Sequence, residues 1–276
     1  MPAGGGAAST LDWFGTFSPV CANAALYRLQ SPSVGYADSD GGVVKCVADP
    51  AGSGQTVLEM IVSPNTCAWS CEQRIDWVSP PMIPAGADEY FSIPILVPTS
   101  QTSDIGGNGR LVQFDEQYGQ PTSGSPSNAL NICERGNIVV FCGSGDTTGS
   151  PGEGQVYYLG SNPANDGRWH DFVEHMVFST NASVGELQIW EDGSPLTFNG
   201  PDCSNTSYRT GCGTTTLHYA TLIPGATAGS NNWVQIDNYR NNSPAGYTST
   251  FFHGAPAMGA SYDSVRDTMV GYPHGP

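Results

Sequence analysis

A single lysine, Lys45, stands in the 276 residues, and nine basic residues face 25 acidic ones for a net charge of −16. So few cations exclude a non-specific grip on nucleic acid and long-range attraction to anionic membranes. Helix-forming blocks are also missing: Leu, Ala, Glu and Lys are nowhere sustained at helical spacing, while 35 glycines and 21 prolines interrupt the chain. Long helices are thereby excluded, and many short strands joined by turns are expected. No apolar run is long enough to span a bilayer, and the opening MPAGGGAAST has neither the basic nor the apolar segment of a secretion leader. Either a leader has been replaced by an initiator Met, or the protein leaves its cell by lysis. Ser-His-Asp order, nucleophile elbow, P-loop and HExxH are absent, as is the paired-carboxylate strand of sandwich-fold glycoside hydrolases, so hydrolysis ranks low.

Eight cysteines are present, an even number with no CxxC pair and no His at zinc spacing, and they read as disulfides rather than as a metal site. The compartment is then oxidising, either extracellular or a virion surface. Cys203 with Cys212 and Cys133 with Cys142 are the favoured pairs. Cys21 with Cys46 and Cys67 with Cys71 complete the simplest scheme, other connectivities remaining open.

Alternating apolar segments predict strands at 42–48, 56–62, 74–78, 89–97, 110–116, 129–133, 137–142, 156–159, 233–238 and 248–253. To these the stretch WHDFVEHMVFSTNASVGELQIWEDG at 169–193 adds a strand, a polar turn, a second strand and an Asp192-Gly193 hairpin. The expected fold is an all-β sandwich of two antiparallel sheets. One domain over 11–270 accounts for it, with a small polar arm at 1–10 and a loose tail at 271–276. Loop-rich stretches at 99–109, 143–154 and 195–216 have turn residues and little periodicity.

The stretch from Trp169 to Gly193 resembles the "W-x-D-x-V-x-H … G-x-L-x-x-W-x-D-G" unit of concanavalin-like jelly-roll polysaccharide lyases of the heparin lyase and glucuronan lyase type. Other segments follow in the family's order. Val44-Lys45-Cys46-Val47-Ala48-Asp49-Pro50 with Gly52 and Gly54 is similar to the first core strand and its Asp-Pro-x-Gly turn. Cys71 to Asp76 takes the place of the arginine-bearing strand, Glu89 to Pro94 that of an aromatic strand, and Arg110 to Asp115 that of the "Q-W-H" strand. Trp233 to Arg240 resembles the "Y-x-K-x-G-x-Y-R" strand, and Phe251 to Val265 the closing segment. The similarity covers most of residues 40–266. Departures fall at the site: Asp115 stands where the family has His, Gln235 and Asp237 where it has Lys and Gly, and His253 where it has the closing Asp.

The resemblance implies β-elimination next to a uronate, which needs the carboxylate neutralised, the C5 proton removed and the leaving oxygen protonated. Arg74 and Gln113 suit the first task, since both donate hydrogen bonds to a carboxylate. Tyr239 suits the other two if a neighbouring cation lowers its pKa, and Asp115 is the alternative base. Trp233, Gln235, Arg240 and Tyr90 are the expected substrate contacts. Each has a plainer reading: Gln113 and Asp115 as solvent-facing strand positions, Arg74 as an ordinary ion pair with Glu72 or Asp76, Tyr239 as a rim residue capping the core. The expected partner is a polysaccharide or cell-surface glycan. The alternative is a non-catalytic glycan-binding or structural jelly roll displayed on a virion or cell surface. No cofactor is expected. Asp38-Ser-Asp40-Gly-Gly and Asn162-Pro-Ala-Asn165-Asp166-Gly offer oxygen ligands for calcium, but such runs are ordinarily plain turns. His170 and His175, five apart on one strand, point to opposite faces and do not share a metal without a bulge.

Overall fold

The computed structural model describes residues 43–63, 86–100, 165–199, 213–222 and 248–266 in full. Elsewhere it describes the strand backbones at 11–14, 28–29, 42, 73–78, 111–118, 127–133, 138–143, 155–159 and 233–240, with side chains at 159 and 236–238. Two antiparallel sheets are formed. The larger runs β13 (Ser194–Pro195), β12 (Glu186–Glu191), β11 (Trp169–Val177), β6 (Asp88–Leu96), β17 (Ser249–His253), β4 (Thr56–Val62), β3 (Gly42–Ala48). Also in this sheet, β15 (Thr216–His218) pairs with β12, and β18 (Ala257–Gly259) joins β6 to β1 (Leu11–Phe14). The smaller runs β14 (Phe198–Asn199), β10 (Gln155–Leu159), β9 (Ile138–Gly143), β8 (Ser127–Cys133), β7 (Leu111–Tyr118), β16 (Trp233–Arg240), β5 (Gln73–Val78), β2 (Arg28–Leu29). One helical turn, Tyr262–Val265, follows β18, capped by Ser261 and Ser264 in a reciprocal box.

The sandwich closes because the strands alternate. Leu58, Met60 and Val62 of β4, Phe91, Ile93 and Ile95 of β6, Phe172 and Met176 of β11, Leu187 and Ile189 of β12, and Phe251 of β17 are all buried, every second residue turning inward. Each such side chain stabilises the fold by roughly 1.5–3 kcal/mol through apolar area removed from water. The outer face of the larger sheet has a core of its own, in which Trp169 packs with Val57, Leu96 and Ala255. The Trp169 indole donates to Asp49 Oδ1 at 2.9 Å. Asp49 also accepts from Ala51 N and Ser53 N, so the Asp-Pro turn after β3 is tied to the start of β11. Burial alone would raise the Asp49 pKa, but these hydrogen bonds hold it below its ordinary value.

The expected hairpin is present: Asp192 at φ 48° and Gly193 at φ 84° carry the chain from β12 into β13, the left-handed pair a two-residue turn requires. Gly185 has a different reason to be glycine, since a Cβ there would lie 2.0 Å from the Tyr219 carbonyl oxygen. The strands at 11–14, 28–29, 198–199 and 257–259, and the helical turn, were not expected from the sequence. Segments of two to four residues carry no periodicity to detect, and pairing with longer neighbours defines them. Cys46, the one cysteine whose side chain is described, is disulfide-bonded. The cysteine pairings expected above involve residues outside the described side chains.

Candidate active site

β16 lies between β5 and β7 in the smaller sheet, and its register gathers three of the expected catalytic residues. Tyr239 is paired with Arg74 of β5 on one side and with Gln113 of β7 on the other. Gln113 is in turn paired with Asn131 of β8. Directly opposed positions on antiparallel strands lie about 4.5–5.5 Å apart and share a face, so Arg74, Tyr239, Gln113 and Asn131 form one cross-strand row.

The face of that row follows from its neighbour. Asn238 turns into the sandwich, where its Nδ2 donates to the carbonyls of Met60 and Ser249, both at 3.1 Å, and its Oδ1 accepts from Ser249 Oγ at 2.7 Å. On the regular β5 register, position 239 then has the parity opposite to Asn238, shared with 235 and the wholly buried Asp237. His253 Nε2 lies 3.2 Å from the Asp237 carbonyl oxygen and adds a second link from the larger sheet to the same strand. Burial drives His253 down to about 4, the Asp237 carbonyl opposing this only in part, so the neutral ring is the donor. Asn238, His253 and Ser249 are wholly buried.

Bulges decide where the remaining residues fall. The register with β7 slips between Ile236 and Tyr239, and the β7–β8 register slips between Gln113 and Asp115. Asp115 is consequently paired with Ile236 and Leu130, in a row different from that of Tyr239. Gln235 pairs with Val78 and Glu116, and Trp233 with Tyr118, on the parity of Tyr239. Arg240 pairs with Gln73 and Val112, on the parity of Asn238. Tyr90 is not brought to this sheet. It sits on β6 of the larger one, stacked on His175 with ring centroids 4.2 Å apart and planes 11° apart. Its burial, with Asp88 and Glu186 nearby, raises its pKa. A cleft of about 450 Å³ lined by Glu59, Leu96, Thr99, Thr250 and Phe252 also belongs to the larger sheet and is separate from the row.

A second polar constellation lies where β11 begins and β12 ends. His170 is buried against Glu191, with Asp192 and Asp166 beside it. Burial opposes a charge on the ring, yet the neighbouring carboxylates of Asp192, Glu191 and Asp166 push its pKa up to about 10. Asp171, on the opposite parity of β11, is raised to about 7 by burial and by the charge of Asp192, although Ser92 donates to it. Sequence reasoning put His170 and His175 on opposite faces, as they are, but missed the carboxylates around His170. The signal lay in Glu191-Asp192-Gly193, read only as a turn. Asp166, one of the oxygen groups offered for calcium in a run read as an ordinary turn, accepts from Arg168 and His170. Asp38 and Asp40 lie outside the described residues.

Solved structures share the fold, and three of them follow. An endo-β-1,4-glucuronan lyase from the fungus Trichoderma reesei superposes with a TM-score of 0.60 at 12% identity, covering 93% of this chain and 98% of its own. The alginate lyase vAL-1 from Chlorella virus gives 0.54 at 8% identity, covering 91% and 99%. An endo-1,3-β-glucanase from Streptomyces sioyaensis gives 0.50 at 11% identity, covering 94% and 99%. The sandwich is thus a concanavalin-like jelly roll. No curated protein sequence matches the chain. A family model described as polysaccharide lyase matches residues 30–214, more than half of the length, and the chain belongs to that family.

Proposed function

We propose that the protein cleaves a uronate-containing polysaccharide by β-elimination on the outer face of the smaller sheet. The observation that carries this reading is the row of Arg74, Tyr239 and Gln113 across β5, β16 and β7. In it a guanidinium and an amide flank a phenol at directly paired positions. Arg74 and Gln113 donate to the substrate carboxylate and stabilise the enediolate that forms as the C5 proton leaves. Tyr239 takes that proton and returns it to the departing oxygen, a role that a guanidinium at the paired position 74 would favour by stabilising the phenolate. Asp115, in another row, is not needed as base. Trp233 and Gln235 share Tyr239's parity and extend the contact surface along β16, while Arg240, on the opposite parity, contributes to the field at the strand's end. A polymer of this kind lies outside cells, which agrees with an extracellular or surface-displayed protein.

The test is incubation with polyglucuronate, alginate and heparin, following the ultraviolet absorbance of the unsaturated uronate product. The unmodified protein is expected to form product on at least one polymer, and Tyr239→Phe to abolish it. No product on any of the three, with retention on the polymer intact, would instead establish a glycan-binding role. An unchanged rate in Tyr239→Phe would remove Tyr239 from the mechanism.

A further inference from the structure

The constellation at the start of β11 has the geometry of a metal site. His170 and Glu191 are each 3% exposed at the side chain, and the ring Nδ1 lies 2.8 Å from Glu191 Oε1 and 3.6 Å from Asp192 Oδ2. One donor atom each from His170, Glu191 and Asp192 falls within a common 4.8 Å. The other ring nitrogen is already committed: Nε2 lies 3.1 Å from Asp166 Oδ1. Asp166 is itself fixed by the Arg168 backbone N–H at 2.9 Å and the Arg168 guanidinium at 2.7 Å. A histidine that donates one N–H to an anchored carboxylate and turns its second nitrogen on further carboxylates is the usual outer support of a metal-bound imidazole.

Two more features separate this group from an ordinary surface ion pair. His170 Nδ1 is buried without an aligned hydrogen bond, so the 2.8 Å approach of Glu191 is off the N–H axis. Three carboxylates, those of Asp166, Glu191 and Asp192, thus converge on one imidazole, and a metal cation among them would offset their charge in place of the ring proton. Asp192 is held in place as well. Its Oδ1 accepts from Asp171 N at 2.9 Å, its own N–H donates to Asp171 O at 3.0 Å, and its φ of 48° belongs to the hairpin turn. The second oxygen, Oδ2, is the one that faces His170.

We propose that His170 Nδ1, Glu191 and Asp192 bind a divalent transition-metal ion of the Zn²⁺ or Mn²⁺ class, with Asp166 and Arg168 as the outer support. One imidazole nitrogen with two carboxylates suits these ions, whereas calcium prefers an all-oxygen set and Cu(I) prefers sulfur. The ion fastens the β11–β12 hairpin at one end of the larger sheet. It has no part in the elimination proposed for the other sheet.

The full-length protein, stripped with chelator and titrated with ZnCl₂ and separately with MnCl₂ in a calorimeter near neutral pH, is expected to bind one ion per chain. Crystals soaked in zinc should show anomalous density between His170, Glu191 and Asp192. Asp192→Asn keeps a residue suited to the turn and removes one ligand charge, so it should weaken binding at least about tenfold with an unchanged circular dichroism spectrum. Asp166→Asn, acting through the ring, should weaken it by about 10–100-fold. His218→Gln controls for the exposed His218 and Glu186 pair and should change nothing. The proposal is overturned if no stoichiometric heat is seen, if the anomalous peak lies elsewhere, or if Asp192→Asn binds as tightly as the unmodified protein. In those cases a proton alone joins His170 to Glu191.

Discussion

On the side of the larger sheet the described cations are locked into local structure, while on the smaller sheet the described backbone sets arginine positions on neighbouring strands. Arg168 and Arg266 contact Asp166 and Asp263, and Lys45 pairs with Glu59, each within a few residues or one strand. Arg28 and Arg74 instead lie on the adjacent strands β2 and β5 at positions of one parity, with Arg240 of β16 on the other. In a chain of net charge −16 a polyanion is repelled on average, and only cations concentrated on one face reverse the field locally. The difference agrees with the separate tasks proposed for the two sheets. The larger one carries Trp169, Asp49 and the His170 cluster and holds the fold together. The smaller one, held to it through Asn238 and His253, carries the row of paired positions.

The sharpest way to break that division is to remove one large contribution from each sheet. Trp169→Ala deletes a side chain that is 1% exposed and leaves Asp49 without its indole donor, and it should cost about 3–5 kcal/mol in a urea titration. Tyr239→Phe should cost the elimination rate about 10²–10⁴-fold, the span of general acid–base catalysis, with stability unchanged to about 0.5 kcal/mol. Loss of stability in Tyr239→Phe comparable to that in Trp169→Ala would show the row to be structural and the two sheets alike.

Asn238→Ala strikes the junction between the sheets and should have a smaller effect. It leaves Ser249 Oγ and two buried carbonyls without their partner, at about 1–3 kcal/mol, and loosens the bulged segment of β16 that carries Tyr239. Stability and elimination rate should therefore fall together. A stability loss with an unaltered rate would mean that the bulge keeps its shape without the clamp.

Much of this was legible in the sequence, and the limits have physical causes. Strands 42–48 and 56–62 were predicted to the residue, because alternation and the Asp49-Pro50 turn mark both of their ends. Arg74, Gln113 and Tyr239 were picked out by order of motifs, while their common row depends on cross-strand register, which bulges shift by one residue. Asp115 shows the consequence: two positions from Gln113 on one strand, it falls in another row because of a slip that no local pattern announces. Tyr90 shows a second limit, since alternation says that a strand residue faces outward but not from which sheet. The clamp of Asn238 and Ser249 and the cluster of Glu191 with His170 join residues 11 and 21 apart in the chain, and only the folded pairing makes them neighbours.

The least of these effects is a pH dependence, and its sign separates the two buried histidines. His253 titrates at about 4 in the native protein against 6.5 in the unfolded chain, because burial disfavours its charge and one carbonyl compensates only in part. Between those values the unfolded chain takes up a proton that the native state refuses. The stability that His253 contributes is therefore complete above about pH 6.5, declines as the pH falls towards 4, and declines no further below it. His170 has the opposite displacement, to about 10, and remains protonated in both states across most of the acid window, so it adds little to the loss. His253→Leu removes the titrating ring while keeping an apolar side chain in the same row as Leu58 and Ile95. Urea midpoints measured for both proteins from about pH 7 to 4.5 should show the variant starting less stable, through loss of the bond to Asp237, and falling less steeply. Parallel slopes would place the acid sensitivity in the carboxylates of the larger sheet and leave His253 as a simple interior donor.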